Sequence, residues 1–309
     1  MTDGGPGLPR GPPPKAALAQ AAQNGQRVSS RIPEHPNMNF DAGSHVHVDS
    51  DPENPFVAWL TLDRPGFRNA WSDEMVAGFC AALDYLETEK SVRVVILTGA
   101  GPAFSAGGDL KAMRDHAGMF AGGPVELRSR YIRGIQSIPR RMARFDKPII
   151  AAMNGHAIGA GLDLACMCDL RICADHAKLG STFVKVGLIP GDGGAKLLAR
   201  VVGFPKALEL VLSGRVIDAR TAHSIGLVTT VVPADAVRQT AREYANELAA
   251  NAPLSVQLAK QLCYRSQELP LDTALELAAT YQGVVQNTAD HDEGVAAILG
   301  RRAPGFQGR

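Results

Sequence analysis

The sequence predicts an α/β fold with an all-helical C-terminal part. Short apolar runs of strand length alternate with helical periodicity through about residue 232, and from about Ala234 onward only helical periodicity remains. A chain of 309 residues is long enough to bury a large core as one domain or two. The 32 Lys plus Arg against 31 Asp plus Glu leave a formal charge of +1, which provides no global field for nucleic acid or an anionic membrane. No apolar run reaches the ~18 residues of a membrane span, and the first 20 residues lack the apolar stretch of a secretory signal. A cytoplasmic protein is expected, with the mitochondrial matrix as the alternative if the arginines of the N-terminal arm belong to a transit segment. Five cysteines without paired CxxC motifs are expected to be reduced rather than a disulfide framework or zinc site.

Residues 1–40 carry seven of the 20 prolines and few large apolar residues, so a disordered arm is expected there. Ordered structure is expected to begin at "HVHVDS", a strand in which His45 and His47 share one face. Such a pair could hold a metal, but with no further ligand type nearby they are read as solvent-facing. A second strand follows near "FVAWLTLD", then a helix from about Ser72 to Glu87 with Ser72 as N-cap, then the buried strand "VRVVILTGAG". The order recurs with "KPIIAAMNG" as strand, "GAGLDLACMCD" as helix and "LRICA" as strand. This marks residues 45–250 as the α/β core. Residues 251–309 are read as a helical region with breaks at Pro253, Pro270 and near Asp290, whose apolar stripe of Leu254, Leu258 and Leu262 requires a partner surface, such as another subunit.

Three glycine-rich corners carry the chemistry. A dinucleotide site at "GHAIGAGLDL" fails on spacing, because G-x-G-x-x-G requires glycine where Leu164 stands. The strand-glycine-helix corner nevertheless occurs twice, in "LTGAGPAFSAGGDL" and "MNGHAIGAGLDL". Each puts unpaired backbone N–H groups at a helix start, where an anionic oxygen can bind. The third corner is "IPGDGGAKLL".

The ordered set "FSAGGDL", "NGHAIGAGLDLACMCDLRI", "VGLIPGDGGAKLL", "ALELVLSG" with "DARTAHSIGLV", and "DEGVAAILGRRAPGF" resembles the crotonase family, also called the enoyl-CoA hydratase/isomerase family, from about Val46 to Phe306. The resemblance implies a crotonase-like spiral of repeated ββα units with a C-terminal helical subdomain. It also implies an acyl-CoA thioester substrate, no metal or redox cofactor, and a homotrimer or dimer of trimers. Carried over residue by residue, it implies an oxyanion hole at the N–H groups of Gly108 and Ala160, where two donors would stabilise an enolate and each would contribute about 3 kcal/mol. Asp163 matches the family's first catalytic acid. The bland alternative is a first-turn aspartate hydrogen-bonded within its own helix.

The chain departs from the usual hydratase at Phe183, which stands where the second catalytic glutamate is expected. Asp192 matches an aspartate of dienoyl-CoA isomerases, with a plain helix cap as its alternative. Arg68, Ala106, Gly107 and Asp109 are matched to CoA and substrate contacts, and Leu110, Met113, Phe183 and Leu188 are expected around the acyl group. The run Arg128, Arg130, Arg133, Arg140, Arg141 and Arg144 is either a phosphate-binding surface or a solvated helix face. Hydration of a 2-enoyl-CoA and double-bond migration by Asp163 and Asp192 both remain open. A non-catalytic RNA-binding protein is the alternative of another class, although the near-zero charge makes nucleic acid an unlikely partner.

Overall fold

The computed structural model describes residues 39–41 and 45–309. The expected disordered arm lies outside the described residues except at its last positions. There Asn39–Asp41 form a strand, β1, antiparallel to β2 (Val46–Ser50), so a strand is present ahead of the expected "HVHVDS". Within β2, Val46 and Val48 are buried, and His47 contacts Asp63 at 3.0 Å. His45 precedes the strand, exposed and at φ 63°. Among the described residues no group of His, Cys, Asp and Glu could hold a metal ion. No helix among them is long and apolar enough to cross a membrane. All five cysteines are free.

The larger sheet runs β1-β2-β3-β4-β6-β8-β11, with β3 (Val57–Leu62), β4 (Val94–Gly99), β6 (Ile149–Met153), β8 (Leu170–Ala174) and β11 (Thr230–Val232) parallel to one another. Every residue of β4 and β6 is buried, which explains their unbroken apolar runs. A smaller sheet runs β10-β9-β7-β5, from β5 (Ala103–Ser105), β7 (His156–Ile158), β9 (Lys178–Gly180) and β10 (Val216–Asp218). A strand in the large sheet is followed by a short strand in the small sheet and then a helix. This happens at β4–β5–α2 (Leu110–Arg114) and at β6–β7–α5 (Ala160–Met167), so the repeated ββα unit is present.

Helix α1 (Asp73–Thr88) matches the expected helix to within a residue at each end, and Ser72 caps it by accepting from the Met75 N–H. Its buried residues Met75, Phe79, Leu83 and Leu86 fall on one face at helical spacing. After α2 come α3 (Pro124–Arg133) and α4 (Ser137–Met142). After β9 come α6 (Gly194–Val202), α7 (Phe204–Ser213) and, following β10, α8 (Ala219–Ser224). Helix α9 (Val237–Ala249) buries Val237, Ala241, Ala245 and Ala249, a stripe of small residues that lets it lie close over β4, β6 and β8.

The later breaks fall as expected, at the starts of α10 (Pro253–Ser266), α11 (Leu271–Val285) and α12 (Ala289–Leu299). No residue of α10 or α11 is buried, and Leu271, Leu275, Val284, Ile298 and Leu299 are exposed. The terminal segment is nevertheless tied to the core. Arg93 donates to the Phe306 carbonyl at 2.8 Å, and Asp290 accepts from the N–H groups of Gln307 and Gly308.

Candidate active site

The first two glycine corners meet backbone to backbone. At the end of β5 the chain turns through Gly107 at φ 81°, whose carbonyl accepts from Trp71 N–H at 2.8 Å and whose N–H reaches the Ser105 hydroxyl at 3.2 Å. At the end of β7 it turns through Gly159 at φ 55° into α5. A Cβ on Gly107 would lie 2.4 Å from the Ile158 carbonyl oxygen and 3.0 Å from the Ala160 nitrogen. On Gly161 it would lie 2.2 Å from the Ser105 carbonyl oxygen. Only glycine permits this approach. Among the described residues, the N–H groups of Gly108 and Ala160 have no hydrogen-bond partner, and both residues line one cavity of about 150 Å³. Two unpaired donors on one small cavity can bind a carbonyl oxygen and stabilise negative charge on it.

The third corner brings in the acids. Asp192 lines the cavity and is 4% exposed, whereas Asp163 is 0% exposed and lies behind the wall. The start of α6 packs on Asp163 so closely that a Cβ on Gly194 would sit 2.0 Å from a carboxylate oxygen. Both local alternatives for these aspartates fail. The N-cap of α6 is Gly193, with no side-chain cap, so Asp192 is not the helix cap. Neither oxygen of Asp163 makes a hydrogen bond of good geometry, so it is not a locally bonded first-turn aspartate.

Burial, and then the charge of Asp192, push the Asp163 carboxyl well above the usual carboxylate range; burial raises Asp192 as well. Each carboxyl feels the other, although no hydrogen bond of good geometry links them. Two carboxyls side by side in a dry site cannot both ionise near neutral pH, and the deeper one, Asp163, keeps the proton.

A stability prediction follows from the direction of the Asp163 shift. Between an ordinary aspartate value and its raised value, the folded protein binds more protons than the unfolded one, so wild-type stability falls as pH rises through that window. Asp163→Asn removes the titration. It is expected to melt higher than wild type at pH 7 to 8. The gain should shrink as pH falls toward that of an ordinary aspartate. Calorimetric melting of both proteins across pH checks this; a variant less stable at every pH would contradict the assignment.

Of the residues expected from sequence, Gly108, Ala160, Asp192, Ala106, Leu110, Met113, Phe183 and Leu188 line the cavity. Asp163, Gly107, Asp109 and Arg68 do not. Gly107 shapes the corner from behind. Asp109 is committed elsewhere, capping α2 through the N–H groups of Lys111 and Ala112 and pairing with Arg64 at 3.1 Å. Arg68 is exposed, and its carbonyl accepts from the Ala106 N–H.

Trp71, Met119, Phe120 and Tyr131 also line the cavity and were not singled out from sequence. They come from three segments, around Trp71, Met119–Phe120 and Tyr131, with no shared motif; the one signal was an aromatic, Tyr131, within the arginine run. Burial, then the charge of Asp192, raises the Tyr131 hydroxyl above its ordinary value. The arginine run is not one phosphate-binding face. Arg141 pairs with Asp84 at 2.8 Å, Arg140 donates to the Ile132 carbonyl, and Arg130 donates to the Gly118 carbonyl.

A spiral of ββα turns that presents two free N–H donors and a carboxyl to one cavity has the parts to hold a carbonyl oxygen beside an acid. The enoyl-CoA hydratase/isomerase family model matches residues 53–309. The chain is 35% identical over 253 residues to 2,3-dehydroadipyl-CoA hydratase of Escherichia coli, covering 82% of this chain and 96% of that protein. It is 38% identical over 253 residues to 1,2-epoxyphenylacetyl-CoA isomerase of the same species, covering 82% and 95%. The crystal structure of an enoyl-CoA hydratase from Bacillus anthracis superposes with a TM-score of 0.80 at 34% identity, covering 86% of this chain and all of that one. The chain belongs to the enoyl-CoA hydratase/isomerase family, as the motif resemblance implied, and it is an enzyme of the lyase or isomerase kind.

Proposed function

We propose that this protein moves a double bond within an unsaturated acyl-CoA thioester by proton transfer through an enolate. The observation that carries the reading is the composition of the cavity wall. Asp192 is the only carboxyl among the described residues that line it, and the position where a second acid would stand is Phe183. One carboxylate beside an apolar wall suits removal and return of a proton; water activation by two acids has no second partner facing the substrate.

In the proposed reaction the thioester oxygen accepts from the N–H groups of Gly108 and Ala160. Ionised Asp192 takes a proton from the α-carbon of a 3-enoyl thioester, and the electrons of that C–H bond pass into a dienolate held by the two donors. Asp192 then returns the proton at the γ-carbon, giving the 2-enoyl thioester with no atom gained or lost. Asp163 keeps its own proton and stays neutral, so it adds no second charge beside the base. The chemistry calls for no metal or redox cofactor, because the developing charge is borne by the two N–H groups. CoA would run out past Ala106 toward exposed Arg68. Self-association through α10, α11 and α12 would cover the apolar residues they expose.

Incubation of the protein with 3-enoyl-CoA and 2-enoyl-CoA thioesters in water enriched in oxygen-18 tests the reading. The expected product has unchanged mass, a moved double bond and no heavy oxygen. A product heavier by one labelled water would make the protein a hydratase instead.

A further inference from the structure

Rings and thioethers stand directly beside the two donors, on a wall that also carries Leu110, Ile135, Ile158, Val186 and Leu188. The Phe183 ring lies 3.7 Å from where a Cβ of Gly159 would be, one residue before the Ala160 donor. The Met113 methyl lies 2.3 Å from the corresponding position on Gly108, with Phe120 at 3.7 Å. Trp71 is fixed edge-on against Phe79, with ring centroids 5.6 Å apart, and the Tyr131 ring edge abuts Gly191. Met119 lines the cavity as well. An acyl group whose carbonyl meets both donors therefore has Phe183 beside the Ala160 corner and Phe120 with Met113 beside Gly108.

We propose that the site selects acyl groups bearing a six-membered aromatic ring one or two bonds from the α-carbon; this rests on the proposed seating of the thioester at Gly108 and Ala160. Size and chemistry agree. The cavity of about 150 Å³ matches the apolar cavity that takes up benzene. Rings offer offset and edge-to-face contacts to a ring, and Met sulfur packs well at ring edges. A straight chain with the same number of carbons would have to coil into this space and lose rotamer freedom, a cost a rigid ring avoids.

The test is calorimetric binding of phenylacetyl-CoA, octanoyl-CoA and acetyl-CoA to the full chain. The first two have equal acyl carbon number, and none has a double bond to move or hydrate, so the outcome is independent of whether the enzyme isomerises or hydrates. Phenylacetyl-CoA is expected to bind at least roughly tenfold more tightly than octanoyl-CoA. Phe120→Ala and Phe183→Leu are expected to lower the affinity ratio of phenylacetyl-CoA to acetyl-CoA several-fold. Octanoyl-CoA binding as tightly as phenylacetyl-CoA, or a ratio undiminished in both variants, would overturn the ring preference. Failure of the oxygen-18 experiment would leave it standing.

Discussion

Asp192→Asn is expected to lower kcat by roughly 100-fold or more, the usual scale for losing a general acid or base. Asparagine keeps the size of the side chain but cannot take a proton, and no other carboxyl among the described residues faces the cavity. The variant should remain folded, since it removes one of two adjacent buried acids that burial and mutual charge both disfavour. Its melting temperature should therefore not fall, and phenylacetyl-CoA should still bind.

Asp163→Asn serves as the contrast. Asp163 is 0% exposed and holds its proton, so a neutral amide there should reduce kcat by only about tenfold or less. The pH profile follows from the same geometry. Asp192 works as a base only when ionised, and burial raises it, so kcat/KM in the wild type should fall on the acid side at a pH above that of an ordinary aspartate. Steady-state rates of the three proteins across pH decide the matter. A fully active Asp192→Asn would remove this residue from the chemistry, and equal losses at both positions would show that the pair acts as a unit.

Gly107→Ala is expected to damage both turnover and stability. Its backbone sits at φ 81°, where an L side chain costs about 1 to 2 kcal/mol. The new Cβ would also stand 2.4 Å from the Ile158 carbonyl oxygen and 3.0 Å from the Ala160 nitrogen, both backbone atoms that cannot rotate aside. The relief available is to push the two corners apart, which moves the N–H groups of Gly108 and Ala160 out of register. Displacing one such donor should lower kcat by about 100- to 1000-fold. Overpacking should add about 1 to 3 kcal/mol of destabilisation. Activity measured below the melting transition separates the two effects. Near-normal turnover in a folded Gly107→Ala protein would show that the approach of these corners does not set the donors.

Much of the fold was legible because its signals are local. Ser72 followed by an apolar period marks α1, the prolines at 253 and 270 mark the starts of helices, and continuous apolar runs mark strands covered on both faces. The corners that hold Gly108 and Ala160 were legible as small residues at helix starts, whereas the two positions themselves came from the motif resemblance. The early strand at Asn39–Asp41 was not, because three residues without apolar alternation acquire strand character only from pairing with β2. Nor were Trp71, Met119, Phe120 and Tyr131, which belong to three segments that share a wall only after folding.

The two aspartates show where local reading stops. The sequence by itself determined that Asp163 stands in the first turn of a helix among apolar residues and that Asp192 stands in a glycine-rich corner. It could not determine depth. Only the packing of α6 against α5 decided that Asp163 is sealed beneath Gly194 while Asp192 reaches the cavity, and only that packing let the charge of Asp192 act on Asp163. Helical period and cap chemistry are set by residues within one turn of each other. The desolvation and charge that tune a carboxyl depend on every element packed around it.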